Sequence, residues 1–148
     1  MASENPVRVR FAPSPTGYLH IGSLRTTLYN WLMARRFGGS YILRVEDTDR
    51  SRFVEGSIEN MYHALVKCGL TPDEGVHVAE DGKIEDRGEF GPYLQSARKE
   101  KHLAYAYELI EKGHAYYCFC TREHLDEVAK QQQENKQPLM YDRQCRNL

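Results

Sequence analysis

The stretch Arg10-Phe11-Ala12-Pro13-Ser14-Pro15-Thr16-Gly17-Tyr18-Leu19-His20-Ile21-Gly22-Ser23 constrains this chain more than any other. Val7, Val9 and Phe11 alternate with charged neighbours, the pattern of a half-buried strand. Two prolines then stiffen a loop that Gly17 releases, and a helix is expected from His20 onward. Its apolar face is expected at Leu24, Leu28, Trp31 and Leu32. A strand, a small-residue loop and a helix start together make a phosphate site. The first amides of a helix have no carbonyl partners within it, and the dipole favours negative charge there. Gly17 and Gly22 permit close backbone approach, and His20 adds a side-chain donor. The alternative is a proline-rich turn with a surface histidine.

The remaining chain continues that alternation of strand and helix. The spacing predicts helix 20–37 with a stop at Gly38-Gly39, strand Ser40–Glu46, and helix Glu55–Cys68 ending at Gly69. Thr71–Pro92 has little periodicity and reads as loops with at most a short strand near Val76–Val78. A third helix, Ser96–Lys112, is expected to bury Leu103, Ala106, Tyr107 and Ile110. Strand, helix, strand with short connections is the crossover unit of a parallel sheet, so the class is α/β, half of a doubly wound nucleotide-binding fold. Composition shifts after Gly113. Tyr116–Cys120 reads as a strand and Thr121 as the cap of a further helix. The expected divisions are a disordered 1–6, a nucleotide-binding half over 7–113, and a separate subdomain over 114–148.

Bulk numbers fit one soluble globular piece: 148 residues, 41% hydrophobic, 28% charged, net charge −1. No basic surplus announces nucleic acid, although local charge is what matters at a contact. No apolar run reaches membrane-span length, no leader precedes Val7, and four cysteines do not suggest a secreted disulfide framework.

His20-Ile21-Gly22-Ser23 resembles the His-Ile-Gly-His signature of class I aminoacyl-tRNA synthetases, with serine in place of the last histidine. Arg10–Gly17 and Arg44-Val45-Glu46-Asp47-Thr48-Asp49 look like the glutamyl branch of that family. The resemblance implies a Rossmann-like domain in which Ala12, Pro13, His20, Ile21, Gly22 and Ser23 bind ATP with Mg2+, and His20 meets its phosphates in catalysis. It implies ligation of glutamate to its tRNA through an adenylate. It further implies that 114–148 begins an inserted domain gripping the tRNA acceptor end. The second family signature, Lys-Met-Ser-Lys-Ser, does not occur here, so the chain is expected to be an N-terminal piece of a longer enzyme. Glutamate, ATP and the tRNA acceptor end are the expected partners of a cytoplasmic monomer that touches no membrane. A glutamyl-queuosine tRNA synthetase and a non-catalytic nucleotide- or tRNA-binding module are the rival readings.

Arg10 lies near the end of the first strand and Glu46 at the end of the second, where open α/β sheets bind ligands. An arginine fork suits an anionic side chain and a carboxylate suits an ammonium. The alternative is a plain Arg10–Glu46 ion pair. The resemblance assigns Arg10 to the substrate γ-carboxylate, Glu46 to its α-amino group, and Ala12 and Ser14 to the pocket wall. Asp47 and Asp49 are expected to pair with Arg50, Arg52 or local amides rather than to hold magnesium. Cys118-x-Cys120 followed by Cys145 provides three thiols for a structural Zn2+. The spacing resembles the zinc site of some glutamyl enzymes, whose histidine ligand is Asn147 here. Tyr141 resembles a tyrosine ligand of the queuosine enzymes and is the expected fourth. The alternative is three reduced cysteines.

Overall fold

The computed structural model describes residues 6–148, so the expectation for 1–6 lies, Pro6 apart, outside the described residues. The chain divides into two compact units, one ending at Glu100 and one starting at Lys101.

The first unit is a four-stranded sheet with strand order β1-β2-β3-β4, formed by β1 (Arg8–Phe11), β2 (Ser40–Leu43), β3 (Glu74–Val78) and β4 (Ile84–Arg87). The first three strands are parallel, and β4 returns antiparallel to β3. Helices α1 (Ile21–Arg36) and α2 (Ser57–Lys67) make the two crossovers. Both cover the same face. Tyr41, on β2, shares a buried 2.7 Å hydrogen bond with Thr27 of α1, and His77, on β3, shares a part-buried hydrogen bond with Tyr62 of α2. Strand register puts Tyr41, Leu43, Gly75 and His77 on that one side. Tyr41, Leu43, Val45 and Leu65 are fully buried at the centre, and burial pushes the Tyr41 phenol above its usual range. Gly75 has no room for a side chain: its φ is +114°, and a Cβ there would stand 2.0 Å from the Leu43 carbonyl oxygen.

The α1 face differs from its expectation. Leu24 and Trp31 pack against the core, but the fully buried positions are Thr27 and Ala34, while Leu28 and Leu32 are exposed. The inward stripe is Leu24, Thr27, Trp31 and Ala34, which departs from the expected face by one residue in its second member and two in its fourth. The hydroxyl partner on Tyr41 is what lets a threonine occupy the inside.

In Thr71–Pro92 the short strand expected near Val76–Val78 is present as β3, but a second strand, β4, returns beside it to make a hairpin where only loops were expected. Asp81-Gly82 turns the chain: Ala79 N–H donates to Lys83 O, the Asp81 carboxylate accepts from Lys83 N–H, and Gly82 takes φ +83°. Strand β4 is an edge strand of mostly charged, exposed residues, hence its weak pattern. Arg8 closes the opposite face by pairing with Glu74, which Tyr93 also contacts, and by lying over the Phe90 ring.

In the second unit, α3 (Lys99–Glu111) runs in from its start at Lys99, and α4 (Arg122–Glu134) is capped by the Thr121 hydroxyl, which accepts from His124 N–H. The face expected to be buried on α3 is largely open: Leu103 and Tyr107 are each 48% exposed. Tyr116–Cys120 has no regular secondary structure and joins no sheet among the described residues. Among those residues no helix is long and apolar enough to cross a membrane.

Candidate active site and cysteine cluster

The loop after β1 is fastened on both sides. Pro13 O accepts from Glu46 N–H at 2.8 Å, Phe11 O from Arg44 N–H at 3.0 Å, and Pro15 O from Val54 N–H at 3.0 Å and the Ser57 hydroxyl at 3.2 Å. These bonds hold the segment beyond β2 and the start of α2 around the loop. Between loop and α1 lies a cleft of about 300 Å³, with Pro13, Ser14, Gly17, His20 and Ser23 in its lining and Met61 of α2 at its base. Ile21, 81% exposed, projects away from the protein interior.

His20 is the N-cap of α1. Its Nδ1 accepts from the amides of Gly22 at 3.1 Å and Ser23 at 3.4 Å. The proton of the neutral ring therefore sits on Nε2, which donates to Ser23 Oγ at 3.0 Å. The ring lies so tightly on the helix start that a Cβ on residue 22 would meet it at 3.0 Å. In this arrangement the imidazole stands at the cleft, with its Nδ1 taking up the Gly22 and Ser23 amides.

Arg10 and Glu46 do not pair. Glu46 is bound at 2.6 Å by Arg44, whereas the exposed Arg10 guanidinium has no ion-pair partner among the described residues. An unpaired arginine beside the carboxyl end of β1 is free to receive an anion. Asp47 accepts from the distant Ser96 N–H and Oγ–H rather than from Arg50, Arg52 or a local amide, whereas Asp49 pairs with Arg52 and Ser51 as expected. Those bonds hold the Asp49 carboxyl below the usual carboxylate range.

In the second unit, Cys118, Cys120 and Cys145 bring their sulfurs within 4.8 Å of one another, and all three are free thiols. The Tyr141 oxygen stands 3.3 Å from the Cys118 sulfur, 3.7 Å from that of Cys120, and 3.2 Å from the Cys145 amide. Cys120 and Cys145 sulfurs are 3.5 Å apart. The vertices of a tetrahedron around zinc, with bonds of about 2.3 Å, are about 3.8 Å apart. The donor spacing thus suits zinc. Tyr141 favours the Cys120 thiolate, but burial and the two neighbouring sulfurs outweigh it and push Cys120 up to about 11. The Phe119 amide, donating at 3.3 Å, and then Tyr141 pull Cys145 below its usual value. Contact with Cys118 raises the Tyr141 phenol. Without a cation the four groups share their protons; a divalent ion would replace them.

Residues 6–148 match the family described as tRNA synthetases class I (E and Q), catalytic domain. The chain belongs to this family. Glutamate–tRNA ligase of Clostridioides difficile is 56% identical over 142 residues, covering 96% of this chain and 29% of the relative. That of Finegoldia magna is 56% identical over 144 residues, with the same coverage of 96% and 29%. The crystal structure of a glutamate tRNA ligase from Elizabethkingia meningosepticum in complex with its amino acid superposes with a TM-score of 0.76 at 38% identity, covering 97% of this chain and 27% of that one. The chain thus spans about 29% of the length of these curated relatives.

Within this class I synthetase chain, Pro13, Ser14, His20 and Ser23 converge on one cleft, while Arg10 and Glu46 stand at neighbouring strand ends in separate electrostatic surroundings. Cys118, Cys120, Cys145 and Tyr141 converge in the second unit. A pair that the sequence reading passed over adjoins them: His124 Nε2 lies 3.0 Å from Asp142 Oδ2, and these two group with Cys120. The legible signal was Cys120-x3-His124, upstream of the segment searched for a fourth ligand.

Proposed function

We propose that this synthetase chain carries the ATP- and glutamate-binding half-site of an ATP-dependent glutamate–tRNA ligase that works through a glutamyl-adenylate. The observation that supports it best is the cleft where the Pro13–Ser14 loop meets the His20-capped start of α1, beside an unpaired Arg10. In this reading Ala12, Pro13, His20, Ile21, Gly22 and Ser23 bind ATP with its Mg2+. His20 Nε2–H and the helix amides stabilise negative charge growing on the α-phosphate as the glutamate carboxylate attacks and pyrophosphate leaves. Arg10 receives the glutamate γ-carboxylate and Glu46 its ammonium, with Ala12 and Ser14 as walls. Residues 114–148 meet the acceptor end of the tRNA. The protein works as a cytoplasmic monomer.

Aminoacylation by the full-length protein tests this reading. Radiolabelled glutamate should become attached through an alkali-labile ester at the 3′ end of a transcript of the glutamate tRNA. Glutamate attached instead only to a queuosine-modified tRNA would show the queuosine enzyme, and no attachment to any tRNA would show a non-catalytic module.

We further propose one structural zinc, held by Cys118, Cys120, Cys145 and Tyr141, that fastens the 116–120 segment to the C-terminal turn. Elemental analysis of chain purified without added metal should find about one zinc per molecule, with Cys145→Ser reducing it to near zero. Metal-free protein whose three thiols all react freely with a thiol reagent would leave them as ordinary reduced cysteines.

A further inference from the structure

Cys120 belongs to two donor groups at once, one with Cys118 and Cys145 and one with His124 and Asp142. Its place in the chain explains this. Cys120 immediately precedes the Thr121 cap of α4, and His124 lies one turn on, so its ring returns over the helix start where the Cys120 sulfur stands. A ring nitrogen of His124 is within 4.8 Å of that sulfur. Asp142 reaches the same ring from beyond the cluster. Its Oδ2 is 3.0 Å from His124 Nε2, and its Oδ1 is fixed by the Gln144 amide at 3.1 Å. A carboxylate that accepts a hydrogen bond from one imidazole N–H leaves the lone pair on the other nitrogen, here Nδ1. That is how metal-binding histidines are oriented by their carboxylate partners.

Tyr141 sits at ligand separation from two sulfurs, whereas His124 is nearer to Cys120 than to the cluster as a whole. Their chemistry runs the other way. A phenol binds zinc well only after losing its proton, while imidazole binds neutral and is among the preferred zinc ligands. Resting on the zinc reading above, we propose that the fourth ligand position of the cysteine cluster has two donors, Tyr141 as the resident oxygen and His124, steered by Asp142, as the imidazole that takes the metal when the phenol is absent. The segment can then keep its zinc through loss of the phenol, because a second donor stands within 4.8 Å of the Cys120 sulfur. Asn147, where the family resemblance expects a histidine, need not ligate at all.

The test is zinc binding by the 148-residue chain, measured by competition with a chromophoric chelator, together with zinc X-ray absorption. Circular dichroism of each variant confirms that it folds. Tyr141→Phe should keep about one zinc, with affinity reduced by less than about tenfold, and its absorption spectrum should acquire the multiple-scattering signature of imidazole that the parent lacks. Tyr141→Phe/His124→Gln should bind at least about 100-fold more weakly than the parent. Tyr141→Phe/Asp142→Asn should fall between, in the roughly 10–100-fold range typical of a lost orienting carboxylate. The proposal is overturned if Tyr141→Phe is as zinc-poor as the double variant, or if its bound zinc shows no imidazole. A parent chain that takes up no zinc at all would overturn the zinc reading itself, and with it this inference; a zinc-loaded parent with a zinc-free Tyr141→Phe would overturn this inference alone.

Discussion

Arg10→Ala is expected to lower kcat/KM for glutamate in the full-length protein by roughly 30-fold to several-thousand-fold while leaving the KM for ATP within about threefold. The range follows from the cost of about 2–5 kcal/mol for removing the partner of a desolvated carboxylate, most of it the penalty of leaving that charge unpaired. The structure sharpens this expectation. If Arg10 were the strand-pairing partner of Glu46, its removal would mainly destabilise the fold. Glu46 is instead held by Arg44 at 2.6 Å, and Arg10 has no ion-pair partner among the described residues, so the folded chain has little to lose. Thermal denaturation of the variant should therefore match the parent to within about 0.5 kcal/mol, the usual range for an exposed side chain. Steady-state kinetics with each substrate varied in turn makes the distinction. Unchanged glutamate kinetics with a lowered melting temperature would make Arg10 structural.

His20→Ala should produce two separable losses. His20 Nδ1 caps α1 through the Gly22 and Ser23 amides, and losing a cap costs about 1 kcal/mol of stability. Losing a pre-aimed donor to a charged transition state costs about 100- to 1,000-fold in kcat. His20→Asn separates them, because asparagine caps helices well but is too short to carry a donor as far into the cleft. It should recover the stability and none of the rate. If His20→Asn recovered both, the cap alone would account for the residue's importance.

The contrast between what was and was not legible in the sequence has physical causes. The β1–loop–α1 unit was legible because its signals are local: alternation, two prolines, a glycine and a capping position all lie within one short stretch. Thr27 inside and Leu28 outside were not, because the tyrosine whose hydroxyl pairs with that of the threonine lies on β2. Strand β4 escaped because an edge strand of exposed charges lacks periodicity, although Asp81-Gly82 marked its turn. Tyr116–Cys120 has the bulky, aromatic composition of a strand, but composition cannot supply a neighbouring strand. Its Phe119 amide bonds to the Cys145 sulfur instead. In the same way, the spacing of Leu103 and Tyr107 defines a face of α3 without supplying anything to cover it. At the cleft the residue types were legible, but the pairings were not. Arg44 outcompetes Arg10 for Glu46 through geometry that no spacing rule contains.

Glutamate-dependent exchange of labelled pyrophosphate into ATP by the full-length protein, with its tRNA present, tests the central claim most directly. It reports the reversible formation of the adenylate, the step assigned to the His20 cleft and Arg10. The account predicts exchange that requires glutamate, is not supported by glutamine, falls with the kcat loss in His20→Ala, and in Arg10→Ala is lost at low glutamate. Exchange that proceeds equally with glutamine, or that survives both substitutions undiminished, would contradict it.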